Sequence, residues 1–282
     1  MNASVALPAW HAHLDAWALV GILVAAYLTA LHRHPGRGAT GRQRAAFLGG
    51  AGVLLLASDW PVHDGAEGYL YSVHMAQHLL MTLVAALLLV AGTPSWMAQR
   101  LLRPRWLRAT VRCLARPVPG LIQFNVILVA SHWPVVVEGT IRHHPLHFVA
   151  HAVLLASAIL MWLPVASPLP EVPRLRPPMQ MLYLFLQTIV PTVPASFLTF
   201  GTSPLYPIYA TFPRLWGVDV LTDQLMAGLI MKVAAGFYLW VIIAVIFFRW
   251  YSAEERGGRD VLLWHDVERE LRSLDRSGRP PS

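Results

Sequence analysis

The chain has 282 residues, of which 56% are hydrophobic and only 13% charged, with a mean hydropathy of +0.49. A soluble domain of that length needs more charge to cover its surface, so composition places the chain in a lipid bilayer as an integral membrane protein. The formal charge of +7 does not signal nucleic acid, because the arginines lie in short loops between apolar runs and form no binding stripe.

In chain order, apolar runs at 16–31, 45–58, 70–92, 118–137, 146–165, 179–200 and 225–250 predict seven membrane-spanning helices. The run at 45–58 is the shortest and holds Gly49, Gly50 and Gly52. It still reads as a span, because glycine permits close contact between helices in lipid. Residues 1–10 carry neither a basic start nor a small-residue cleavage pattern, so no removable signal peptide is read there. The single cysteine, Cys113, excludes an internal disulfide and any cysteine-rich metal site. The expected fold class is all-α integral membrane. A seven-transmembrane-helix bundle occupies residues 1–250, and a tail over 251–282 holds a short amphipathic helix at 260–273.

Charge sets the direction of the spans. The 33–44 loop carries Arg33, Arg37, Arg42 and Arg44 with no acid, and the 100–116 loop carries Arg100, Arg103, Arg105, Arg108, Arg112 and Arg116. The 167–178 loop adds Arg174 and Arg176 against Glu171. The alternate side holds Asp15, Asp59, Asp64, Glu67, Glu138, Asp219 and Asp223, opposed by Arg142 and Arg214. Basic loops stay on the cytoplasmic face, so the N-terminus is expected outside and the C-terminus in the cytoplasm.

Of the thirteen histidines, only His32, His34 and His265 fall on the cytoplasmic side of that topology. Two pairs stand out, His74/His78 and His147/His151. A spacing of four residues puts both rings of a pair on one helix face, and imidazoles are costly in hydrocarbon, so the pairs point to a ligand. His132 joins them from the outer part of the fourth span. Loop histidines His11, His13 and His63 suggest a metal intake relay or, more simply, solvated side chains. Met75 and Met226 read first as packing residues, although a thioether also suits Cu(I).

Imidazole binds zinc, copper, iron and nickel, and affinity order favours copper. Hydrolysis by zinc needs a glutamate directly after the first histidine, where Met75 and Phe148 stand instead. Haem remains the competing cofactor: a pair on one helix cannot reach both faces of a porphyrin, whereas His78 and His151 on different helices can. Asp223 reads either as a cap at the start of the last span or as a carboxylate fixing a ligand imidazole, a role open to Asp59 and Asp64 too. The aromatic segment 203–219 reads as an outer loop over the site or an interfacial anchor. Lys232, about 14 Å along the axis from Asp223, is a charge in a span with no evident mate.

Together, His74-Met75-x-Gln77-His78, the Thr93-Pro94 exit of the same span, His147-x-x-x-His151 with Trp162 and Pro164, and Asp223-Gln224 before Gly228 and Met231 resemble the multi-span CtaG family of cytochrome c oxidase assembly factors. The similarity covers about residues 63–250. It departs from the family pattern at Ala85-Ala86, where a proline is usual, and at Ala227-Gly228 and Met231-Lys232. The resemblance implies a non-enzymatic membrane protein of the bacterial cytoplasmic membrane. Its implied role is to supply copper to the buried centre of oxidase subunit I, with an extracytoplasmic copper donor as a further partner. Carried onto this sequence, the implicated residues are His74, His78, His147, His151 and Asp223. A haem-bearing membrane oxidoreductase is the alternative, and a permease ranks last because the mid-bundle polar groups are few: Gln123, Asn125, Gln187 and Lys232.

Overall fold

In a computed structural model, residues 7–259, 268–269 and 271–272 are described, and among them the chain is all-helical. Helices α1 (Leu14–Arg33), α2 (Gly41–Ser58) and α3 (Val62–Gly68) lead into α4 (Tyr71–Gly92). Three shorter segments follow: α5 (Ser95–Leu101), α6 (Arg105–Leu114) and α7 (Pro117–Ser131), the last two meeting at 90°. Then come α8 (Pro134–Arg142), α9 (His144–Ala166), α10 (Pro177–Ile189), α11 (Thr192–Phe200) and α12 (Val220–Arg256, helical to Arg259). Among the described residues, six helical stretches are long and apolar enough to cross a membrane, or seven when the bent α6–α7 pair counts as one span.

Two expected boundaries move. The run at 118–137 does not form one helix: α7 stops at Ser131 and α8 starts at Pro134, with Trp133 extended between them (φ −68°, ψ 133°). Pro134 is the cause, since its ring forces the preceding residue out of helical geometry and it offers no N–H to continue the ladder. The last helix continues through residue 259, past the end of the apolar run at 225–250. The tail helix expected at 260–273 lies outside the described residues, apart from 268–269 and 271–272.

The weak second run is a helix, and one of its glycines explains how. A Cβ on Gly50 would stand 2.9 Å from the Leu89 backbone nitrogen, and one on Gly92 would stand 2.3 Å from that of Phe47. At those two points α2 and α4 touch backbone to backbone, which only small residues allow. Gly52, by contrast, faces open space. The Tyr27 hydroxyl donates to the Gly92 carbonyl (3.1 Å) and ties α1 to the same contact.

Helix α4 widens to a π turn over Leu80–Ala85, immediately after His78, and α12 does so over Ile230–Ala234. A π turn leaves carbonyls outside the regular ladder, and inside a bilayer they need other donors. Trp162 Nε1 donates to the Thr82 carbonyl (2.9 Å) and the Tyr238 hydroxyl to that of Leu83 (3.3 Å). Trp162 is fully buried beside Ala158 and Met161 in the main apolar core, so α9 locks the widened turn in place.

Candidate metal centre

At one end of the bundle α4, α9 and α12 begin and α7 ends, and the histidines gather there. Asp223, in the first turn of α12 and only 1% exposed, caps α4: its carboxylate accepts the backbone N–H groups of Tyr71 (2.8 Å) and Ser72 (2.9 Å). Its own helix is capped by Asp219, which accepts from the N–H groups of Leu221 and Thr222. The Thr222 hydroxyl beside Asp219 holds that carboxyl below the usual carboxylate range. Asp223 thus starts the helix that carries His74 and His78, where helix N-termini favour negative charge. Both of these Asp223 hydrogen bonds go to backbone N–H groups rather than to a ring.

From that anchored start, the His74 and His78 rings lie 4.3 Å apart between centroids on one face of α4, and His147 and His151 lie 4.1 Å apart on α9. The two pairs meet. His78 Nε2 and His147 Nε2 each approach His151 Nε2 to 3.1 Å. One ring nitrogen from each of His74, His78 and His151 fits within a 4.8 Å cluster. Nitrogens sharing a tetrahedral ion at bond lengths of about 2.0–2.1 Å stand roughly 3.3 Å apart, so the spacing suits a metal. A single proton on His151 Nε2 bridges it to only one of its two neighbours, which leaves the other contact without a hydrogen.

The surroundings fix the rings. The Tyr209 hydroxyl donates to the Ala66 carbonyl (2.9 Å), so at His74 Nδ1 (3.3 Å) it accepts. That keeps the His74 hydrogen on Nδ1 and leaves Nε2 free, the outer-sphere arrangement of metal-ligating histidines. Tyr206, from the same loop, donates to the His132 carbonyl (2.8 Å), and burial pushes its phenol up to about 12. Segment 203–219 therefore does pack over the site.

His132 lies beside this trio. Its ring is 5.4 Å from that of His78, and its Nε2 faces Met75 Sδ at 3.3 Å. Asp59 accepts from Trp17 Nε1 (2.7 Å) and the Trp60 backbone N–H (2.8 Å), joining α1 to the end of α2. Those are the hydrogen bonds its carboxylate makes among the described residues, and neither partner is an imidazole. Asp64 gathers His11 (2.8 Å) and His13 (2.9 Å). His13 packs edge-on against His63, with centroids 4.6 Å apart. Lys232 sits in the π turn of α12, exposed, and lines a narrow pocket together with Met75, His78 and His132.

Glu67 was not expected as a donor, and His63 was expected only in a metal intake relay or as a solvated side chain. Both lie on α3, four residues apart, with Glu67 Oε1 3.3 Å from His63 Nε2 and 2.9 Å from His147 Nδ1. Neither Glu67 Oε1 nor His147 Nδ1 has an aligned hydrogen-bond partner, although both are buried. His63, Glu67 and His147 form a second cluster able to hold a metal ion. The signal was present as His63-x-x-x-Glu67, the spacing that singled out the other pairs, but it fell in a stretch expected to be loop.

With the imidazoles of two helices brought together, the family comparison has a structural counterpart. A family model described as cytochrome c oxidase caa3 assembly factor matches residues 25–253. The chain belongs to that family. No curated protein and no solved structure matches this assembly factor. The matched stretch holds every residue of both histidine clusters and ends just beyond the apolar part of α12.

Proposed function

We propose that this assembly factor crosses the bacterial cytoplasmic membrane seven times, with its N-terminus outside, and holds copper at the outer end of the bundle for delivery to subunit I of the oxidase. His74, His78 and His151 are the ligands, with His147 beside them and Glu67 and Tyr209 orienting the rings. The arginine-rich loops support the orientation, and the bent α6–α7 pair supplies the seventh crossing. The role is non-enzymatic: copper passes by ligand exchange to an incoming site, and an extracytoplasmic donor loads it. The observation that carries the reading is the convergence of three imidazole nitrogens from two helices within 4.8 Å. Neutral imidazoles are good copper ligands, and the absence of cysteine from the cluster suits oxidising surroundings.

Metal analysis of the purified protein beside a His78→Ala/His151→Ala variant tests this. Stoichiometric copper lost in the variant is the expected result, and equal copper in both removes the site. One observation favours a second reading, a haem-binding oxidoreductase. An open pocket lies beside His63, His147 and His151, with an apolar wall from Val20, Leu54 and Ile159. An apolar wall with a few convergent polar groups is the usual lining of an organic cofactor site. A Soret band in the purified protein would support haem, and a colourless preparation that binds copper would reject it.

A further inference from the structure

His132 and Met75 present a pair of atoms that hydrogen bonding leaves unexplained. His132 Nδ1 lies 2.6 Å from the Leu128 carbonyl, which only accepts, so Nδ1 carries the ring hydrogen. The Ser131 hydroxyl near the same nitrogen donates to that carbonyl as well (2.8 Å) and offers Nδ1 no proton. His132 Nε2 is therefore a bare lone pair. It faces Met75 Sδ at 3.3 Å, and a thioether sulfur has no hydrogen either. Both side chains are buried, at 6% and 2% exposure. Two lone-pair donors held face to face away from water are unfavourable unless an electrophile lies between them.

The geometry points to a second metal site: we propose that Met75 Sδ and His132 Nε2 bind Cu(I), inward of the three-imidazole cluster. A nitrogen–thioether pair suits soft Cu(I) and discriminates against zinc. Donors at about 2.0 and 2.3 Å from a three- or four-coordinate ion stand roughly 3.5–3.7 Å apart, so the pair opens by a few tenths of an ångström, which the flexible methionine permits. His78 links the two sites. Its Nε2 lies 3.1 Å from that of His151, while its Nδ1 is buried without a hydrogen-bond partner and its ring is 5.4 Å from that of His132. Beyond Met75 and His132 the same narrow pocket is lined by two more thioethers, Met161 and Met231. The inner site rests on the copper reading above but uses different atoms. It holds Cu(I) throughout, so no electron transfer is involved.

X-ray absorption at the copper edge of the Cu(I)-loaded protein tests it, together with Met75→Leu and His132→Gln. The wild type should show a sulfur neighbour at about 2.3 Å. Met75→Leu should lose it and weaken Cu(I) binding in chelator competition by more than the about 10–100-fold that loss of an outer partner costs. Zn(II) binding, which uses the three imidazoles, should persist in both variants and also reports that they fold. A wild-type spectrum with nitrogen neighbours alone overturns the inner site and leaves the copper reading standing, as does a sulfur signal unchanged in Met75→Leu. A wild type that binds no copper at all overturns both. Should Met75→Leu fail to bind zinc, the wild-type spectrum and His132→Gln decide the matter.

Discussion

Asp223 offers the sharpest test of how the site is held. Its carboxylate satisfies the N–H groups of Tyr71 and Ser72 at 2.8 and 2.9 Å, almost wholly out of water. Replacing it with alanine leaves two buried donors unpaired at about 1–3 kcal/mol each, so about 3 kcal/mol in all is a reasonable expectation once water enters the gap. Asparagine retains one acceptor oxygen but turns its NH₂ towards the other donor, for a loss of roughly half that. His74 lies within the first turn of the same helix, so a frayed start displaces a candidate ligand. If the whole 3 kcal/mol fell on the bound state, metal affinity would drop by roughly 100-fold. Thermal unfolding and chelator competition on the wild type, Asp223→Asn and Asp223→Ala read both quantities, with amide exchange at Tyr71 and Ser72 as the local probe. The expected order is wild type, then asparagine, then alanine, with metal stoichiometry retained at saturation because Asp223 is not a ligand. Alanine matching the wild type in amide protection and affinity would refute the reasoning. Stoichiometric loss of metal in the asparagine variant would make Asp223 a ligand instead.

Other substitutions probe different links. Glu67→Gln removes the charge beside His147 Nδ1 and should weaken metal binding by about 10–100-fold in chelator competition; an unchanged affinity would mean that Glu67 does not orient the ring. Tyr209→Phe frees the His74 hydrogen from its acceptor and should shift affinity in the same direction but less, with the fold intact by circular dichroism. Gly92→Ala forces a Cβ to within 2.3 Å of the Phe47 backbone, so α2 and α4 must separate. Overpacking of this kind costs about 1–3 kcal/mol or more, read as a lower melting temperature, while Gly52→Ala, which meets nothing, should melt with the wild type.

The histidine pairs were legible because a four-residue spacing on a helix commits both rings to one face. That α4 and α9 face each other was not, since periodicity gives a face and not the order of helices around it. Asp223 shows the same gap from another side. An acid in a first turn reads naturally as the cap of its own helix, but Asp219 fills that place, which frees Asp223 to serve a helix some 150 positions earlier in the chain. The break at Trp133–Pro134 was readable from proline chemistry, yet the apolar residues beyond it masked the stop. Glu67 was hidden because a short helix between spans looks like loop when only hydrophobicity is followed. The π turns left no mark at all, because a helix that is apolar on most sides has no phase to disturb.

That widened turn in α4 carries a consequence for the chain's tolerance of length change. Each residue of a regular helix rotates the face by about 100°, and a π turn accommodates one surplus residue without losing the helix. His78 above the turn aims at α9 and Gly92 below it meets Phe47, and the wide turn takes up the surplus so that both alignments hold. Deleting one residue from 80–85 would let the turn close to regular helix with the two halves of α4 still in phase. Inserting a residue elsewhere between His78 and Gly92 would re-phase them by about 100°, so that either the imidazoles swing away from His151 or the glycine contact is replaced by a bulky side chain. Composition and hydropathy would be almost untouched by either change, yet only the deletion leaves ion site and helix seam compatible in one molecule.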